Sequence, residues 1–272
     1  MVDQAYIHGM VLSKKLIDRQ KAAKLLEYHF SNIHDKDLAW QDFLRLTQDE
    51  DLYIRMVASD SIGIVFCQVP DKARAWHDLH KLSEEKDIGI RSRVAKAIGS
   101  TFSQVTNREE ALRDLSRLTR DEDIDVRINS YHALGRIHVL KAVEAKDRSY
   151  LCKELKTAIG FFEKSFQERN WYNPSKFCLL FYRLYFALIF LDARDDEIKM
   201  YLAEAKHSAG LSKSSAELLV AVENLAKALW ESKKLKSKSL EEMANELSAF
   251  RWYCDEAAEH MTSAEESASW SG

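Results

Sequence analysis

The segment Asp121-Glu122-Asp123-Ile124-Asp125-Val126-Arg127, continued by Ala133-Leu134-Gly135, decides the fold because it is one of three copies. Arg127 follows Arg91 and Arg55 at steps of 36 residues, and Gly135 follows Gly99 and Gly63 at the same step. Leu46, Leu82 and Leu118 keep that spacing, as do Asp42, Asp78 and Asp114. A spacing held by four kinds of residue over three copies marks an internal repeat whose units pack on their neighbours.

Each unit reads as two helices. The first carries apolar residues at helical spacing, such as Ala75, Trp76, Leu79 and Leu82. It ends at an acidic turn, residues 47–51, 83–87 and 119–123 in the three copies. The last Asp of each turn can accept from the orphan amides that open the second helix, at the end where the helix dipole favours negative charge. On the second helix Ile54, Ala58, Ser61, Ile62 and Val65 form a stripe, repeated by Ile90, Val94, Ala97, Ile98 and Thr101. Neither helix can bury its stripe alone, so the copies are predicted to stack as a solenoid.

The acidic turn, the Ile/Val-Arg pair and the later Ala-(Leu/Ile)-Gly resemble the HEAT-repeat family, with residues 121–135 the closest copy. That resemblance implies an all-α, HEAT-type α-α superhelix whose second helices line the concave side. It also implies that Arg55, Arg91 and Arg127 pair with turn carboxylates of their own or a neighbouring repeat. The second copy departs from the pattern, carrying Glu85 and Lys86 in its turn, and a weaker polar ladder is expected there. Upstream, Arg19 lies 36 before Arg55, and Ala22, Phe30 and Ile33 align with Ala58, Phe66 and Val69. Residues 1–37 therefore read as a degenerate capping repeat, made basic by Lys14, Lys15, Arg19, Lys21 and Lys24, and followed by repeats at 38–70, 71–106 and 107–142. A solvated face and a docking surface for an acidic partner both fit that cap.

Past Lys141 the spacing stops, since position 163 is Glu163, and residues 143–261 read as a C-terminal helical bundle. A stripe of Leu151, Leu155, Ile159, Phe162 and Phe166 predicts one long helix over 143–168, and Asn173-Pro174 predicts a turn and a helix start. Residues 177–191 are apolar on every side except at Arg183, which marks a helix surrounded by protein; at 15 residues it is shorter than the ~20 that cross a bilayer. Further helices are expected at 195–207, 212–232 and 239–261. Ser212, Ser214 or Ser215 would be an N-cap, Gly210 a stop, residues 233–238 a basic linker and 262–272 a flexible tail. Phe177-Cys178, Phe181-Tyr182-Arg183, Tyr201-Leu202-Ala203-Glu204 and Ala221-Val222-Glu223-Asn224 resemble the helical region appended to HEAT repeats in archaeal proteins, a resemblance that brings no catalytic residue.

Two prolines among 272 residues, with 46% hydrophobic and 31% charged, support an all-α chain. A net charge of -3 gives no general pull toward nucleic acid or anionic lipid. Four scattered cysteines and a start without a signal-peptide layout predict a cytoplasmic protein with reduced thiols.

Chemistry is sparse. His77 and His80 share a helix face but recruit no carboxylate or thiol, so no metal site is assigned. There is no His-Glu dipeptide, which ends any likeness to HEAT-like di-iron hydroxylases at the scaffold. No Gly-rich phosphate loop, Gly-x-Ser-x-Gly elbow or His-Glu-x-x-His helix occurs, and the sequence therefore predicts neither catalysis nor a cofactor. What varies is the face of the second helices opposite the stripe: Met56 and Asp60, then Arg93 and Lys96, then Ile128, Tyr131 and His132. A variable face on a constant frame predicts a protein–protein scaffold. The alternative is a nucleic-acid-binding or HEAT-like DNA glycosylase-type protein, for which Tyr131 and Arg136 are the residues to watch, although the face mixes both signs of charge.

Overall fold

The computed structural model describes residues 3–191, 195–208, 213–235 and 240–269, and all regular structure in them is helical. The chain divides into two compact units, one of residues 1–144 and 160–173, the other of residues 145–159 and 174–272.

In the first unit four helix pairs follow one another: α1 (Gln4–Val11) with α2 (Leu16–His29), α3 (Lys36–Leu46) with α4 (Leu52–Val65), α5 (Lys72–Leu82) with α6 (Ile88–Thr101), and α7 (Arg108–Leu118) with α8 (Ile124–Val143). The predicted caps are in place. Asp51 and Asp87 accept from the amides of Ile54 and Ile90, and Asp123 from those of Asp125 and Val126. A second set opens the first helices, with Asp35, Asp71 and Asn107 accepting from Leu38, Arg74 and Glu110. Phe30, Phe66 and Phe102 each begin a short tight turn after the second helix, with the cationic head of Lys36, Lys72 or Arg108 lying 5.4–5.5 Å from the ring. The fourth copy has His138 where Phe would stand, and α8 runs on to Val143.

The second helices pack side by side, α2 on α4, α4 on α6 and α6 on α8. The repeated glycine explains how closely. A Cβ built on Gly63 would lie 3.0 Å from that of Ala97, and one on Gly99 would lie 2.6 Å from that of Ala133. At Gly135 the obstacle is the Phe162 ring. Any side chain larger than hydrogen there pushes helices apart.

Two polar ladders fix the stacking. Along the turns, Arg19 donates to Asp49 and Glu50, Arg55 to Asp87 (2.8 Å), Arg91 to both oxygens of Asp121 (2.7 and 2.9 Å) and Arg127 to Glu168 (2.8 Å). Arg55, Arg91 and Arg127 each also donate to two carbonyls of their own turn. The second turn is indeed the odd one. Its Glu85 stands where the others have Asp49 and Asp121, and Arg55 reaches instead to Asp87, the cap of the next helix. Along the first helices, Asp42, Asp78 and Asp114 accept from the preceding pair: His8 Nδ1 (2.9 Å), Trp40 Nε1 (2.9 Å) and His80 Nδ1 (2.7 Å). Buried carboxylates without such donors would cost several kcal/mol, on the order of breaking a buried ion pair.

α9 (Arg148–Glu168) is divided between the units. It starts at Arg148 and not at residue 143 as the stripe predicted, because a turn at 144–147 intervenes and Asp147 accepts from the amide of Tyr150. In the second unit α10 (Ser175–Phe190), α11 (Asp195–Ser208) and α12 (Lys213–Leu235) bury Phe181, Leu184, Leu188, Ile198, Val222 and Ala226 together. α13 (Leu240–Ser269) packs along α12, and His260 Nδ1 lies 2.6 Å from Glu217 across the two. The end at Met261 predicted for this last helix is too early: Thr262 donates back to the Ala258 carbonyl, Ala264 is buried, and the helix runs to Ser269. α12 likewise extends to Leu235, into the stretch read as a linker. Gly210 and Ser212 lie outside the described residues, as do the side chains of Ser214 and Ser215. Among the described residues no helix is long and apolar enough to cross a membrane.

Candidate interaction face of the second helices

The face singled out in the sequence is carried by α4, α6 and α8. Its first two rows meet at an ion pair. Asp60 on α4 accepts from Arg93 Nε on α6 at 2.9 Å, with Lys96 Nζ at 3.9 Å, and Arg93 also donates to the Gly89 carbonyl. The Arg93 side chain is 20% exposed and Lys96 66%, so Arg93 is tied down while Lys96 offers its charge to solvent. Met56 is half-buried one turn before Asp60.

Ile128 does not belong to this face. It is 2% exposed, and its carbonyl accepts from Ser165 Oγ on the part of α9 that packs on α8. Ser92, its counterpart one repeat earlier, is buried as well and accepts from Asn129 Nδ2 at 2.8 Å. The helical wheel placed this column outward, but a neighbouring helix covers it, which a wheel of one helix does not show.

Tyr131 and His132 enter an aromatic cluster with α9. Tyr131 stacks on Phe161 with ring centroids 6.5 Å apart, His138 stacks on the same ring at 5.4 Å, and Lys164 Nζ lies 5.6 Å from its centroid. His132 lies against Phe162. Although His132 keeps some exposed surface, burial of its imidazole, with Arg136 and Lys96 adding positive charge, pushes its pKa down to about 3, so it is neutral at physiological pH. The sequence missed Phe161, His138 and Lys164 as neighbours of Tyr131. Phe161 and Lys164 come from a helix outside the 36-residue spacing, so no repeat signal pointed to them.

Met56, Asp60, Arg93 and Lys96 thus form one continuous strip, and Tyr131 and His132 a second, more aromatic one beside exposed Arg136. Among the described residues no group of three or more His, Cys, Asp or Glu is placed to hold a metal. No family model matches the chain, and no curated protein matches it.

Proposed function

We propose that the chain is a non-catalytic scaffold, a short HEAT-type superhelix followed by a helical bundle, which binds a partner protein across the face of its second helices. One observation carries this reading. The side chains that build the stack repeat, namely the arginine ladder, the Asp column and the glycines at close approaches. The side chains on the open face do not: at the 36-residue step Asp60 gives way to Lys96 and then to His132, and Met56, Arg93, Tyr131 and Arg136 beside them are not repeated in the other copies. A surface that differs at every step while the frame beneath it repeats can read one partner along its length.

The face mixes charge with aromatic surface. Lys96 and Arg136 are exposed cations, Asp60 is a partly exposed carboxylate, and Tyr131 presents a ring backed by Phe161. Such a mixture suits a protein segment carrying both an acidic residue and an apolar anchor, since aromatic and cationic side chains supply most hot-spot energy. The test pairs Lys96→Glu with Tyr131→Ala and measures capture of partner proteins from native cells by the tagged full chain. Loss of a stoichiometric partner, with helical content unchanged, is the expected result; retention of every captured protein removes this face from the mechanism.

A further inference from the structure

The outer face of the first helix pair is made like the faces that stack further along the chain, yet no other described helix of the first unit stacks on it. Tyr6 stands 36 residues before Asp42, the position that in α3, α5 and α7 accepts from the preceding first helix. Leu25 stands 36 before Ser61, and Ala97 and Ala133 follow at the same step. Ser61 receives Glu27 of the preceding second helix, and Ala97 and Ala133 receive its glycine. Both positions therefore belong to the columns that a preceding pair covers. Here they wall an open hollow of about 760 Å³ with Ile7 and Tyr28 beside them and Asp3, His29 and Asn32 at its polar edge. Tyr28 is 81% exposed and Tyr6 63%, whereas a terminal unit left to solvent ordinarily turns a polar face outward.

Apart from Asp3, which caps α1 at the rim of the hollow by accepting from the Tyr6 amide, the exposed charge of α2 and the turn before it is positive. Lys14, Lys15, Lys21 and Lys24 are all exposed. Lys21 precedes Leu25 by one turn and Tyr28 by two, on the same face of α2. Lys24 Nζ lies 5.7 Å from the Tyr53 ring, while Lys14, Lys15 and Lys21 make no ion pair with a described residue. Arg19, counted with these lysines from the sequence, is a ladder residue instead, held by Asp49, Glu50 and the Ser13 carbonyl. The two carboxylates of α2 are half-buried, Asp18 accepting from the Ser13 hydroxyl and Glu27 from that of Ser61.

We propose that this face docks an acidic amphipathic helix of a partner protein, which continues the stack beyond α1 and α2. A large apolar side chain of that helix fills the hollow between Tyr6 and Tyr28, and its carboxylates run along the lysines of α2. The apolar anchor supplies affinity, and the charges set the approach and the direction of the helix. This surface is separate from the face of α4, α6 and α8, and neither site depends on the other.

The test pans the full chain against a displayed library of amphipathic helices about five turns long, randomised at every position. The expected pool is net negative and carries a large apolar residue at its centre. Its members should bind the variant Tyr28→Ser/Lys21→Glu at least about tenfold more weakly, since an anchor and a charge are both lost. Lys96→Glu should leave their affinity unchanged. Both substituted positions are exposed, and circular dichroism and the urea midpoint of the variant should match wild type. A neutral or basic pool, a pool indifferent to the variant, or no enrichment at all overturns the proposal. Self-association of the wild type in sedimentation, lost in Tyr28→Ser, also overturns it by assigning the face to a second copy of the chain.

Discussion

Replacing Gly99 by alanine and Gly160 by alanine should move stability in opposite directions. Both glycines lie inside helices, α6 and α9, where alanine in place of glycine favours the helix by about 0.5–1 kcal/mol. At Gly160 nothing lies within 4 Å of the added methyl, so that gain stands alone. At Gly99 the methyl would lie 2.6 Å from Ala133 Cβ and 2.9 Å from Ala133 Cα. Carbon atoms pack best at about 3.5–4.0 Å, so α6 and α8 would have to part by roughly 1 Å. The atoms met are a backbone carbon and an alanine methyl, which have no rotamer by which to yield. Overpacking of this kind costs about 1–3 kcal/mol, and after the helix gain Gly99→Ala should be about 1 kcal/mol less stable than wild type. Urea denaturation followed by far-ultraviolet circular dichroism measures both. Tryptophan fluorescence serves as a second probe, because Trp40 and Trp76 are buried in the first unit and two compact units can unfold separately. A raised midpoint for both variants would refute the argument that glycine is needed for α6 and α8 to approach.

The ladder rungs should differ in strength. Arg91→Ala leaves the Asp121 carboxylate, 10% exposed, without its bidentate partner and should cost about 3 kcal/mol, whereas Arg55, more open at 23% and bonded to Asp87 through one nitrogen, should cost about 1–2 kcal/mol; urea midpoints rank them. The hydrogen bond to Asp114 raises the His80 pKa against its partial burial, so its stabilisation is complete below the unfolded value near pH ~6.5 and is lost as pH rises through the folded one. The gap in stability between wild type and His80→Gln should therefore shrink as pH rises above about 6.5, and a gap that widens would contradict the sign. For the nucleic-acid alternative, a mobility-shift assay at low salt decides: a face that sets Asp60 among Lys96 and Arg136 should retard neither duplex nor single-stranded DNA, and clear retardation would reopen that reading.

Much of the first unit was legible in the order of residues, because helices and their caps are local objects. A carboxylate three residues before an amide, as Asp51 before Ile54, can be found by counting, and so can an apolar stripe. The 36-residue step added the knowledge that identical pairs recur, and recurrence of Arg, Asp and Gly showed that these residues serve the frame. Counting along the chain could not choose partners across it. Arg55 takes Asp87 where the repeat alone points to Glu85, and Arg127 takes Glu168, a residue of a helix with no place in the repeat. Ile128 turned out to be covered by α9, and Tyr131 to rest on Phe161. The sequence by itself thus determined the helices of the first unit, the caps that open them and their repetition, because caps and stripes depend on neighbours within a few residues. Only the tertiary structure decided which side chains remain exposed on the second helices and which columns of the first pair lie open, because exposure depends on which other helix arrives to cover a surface.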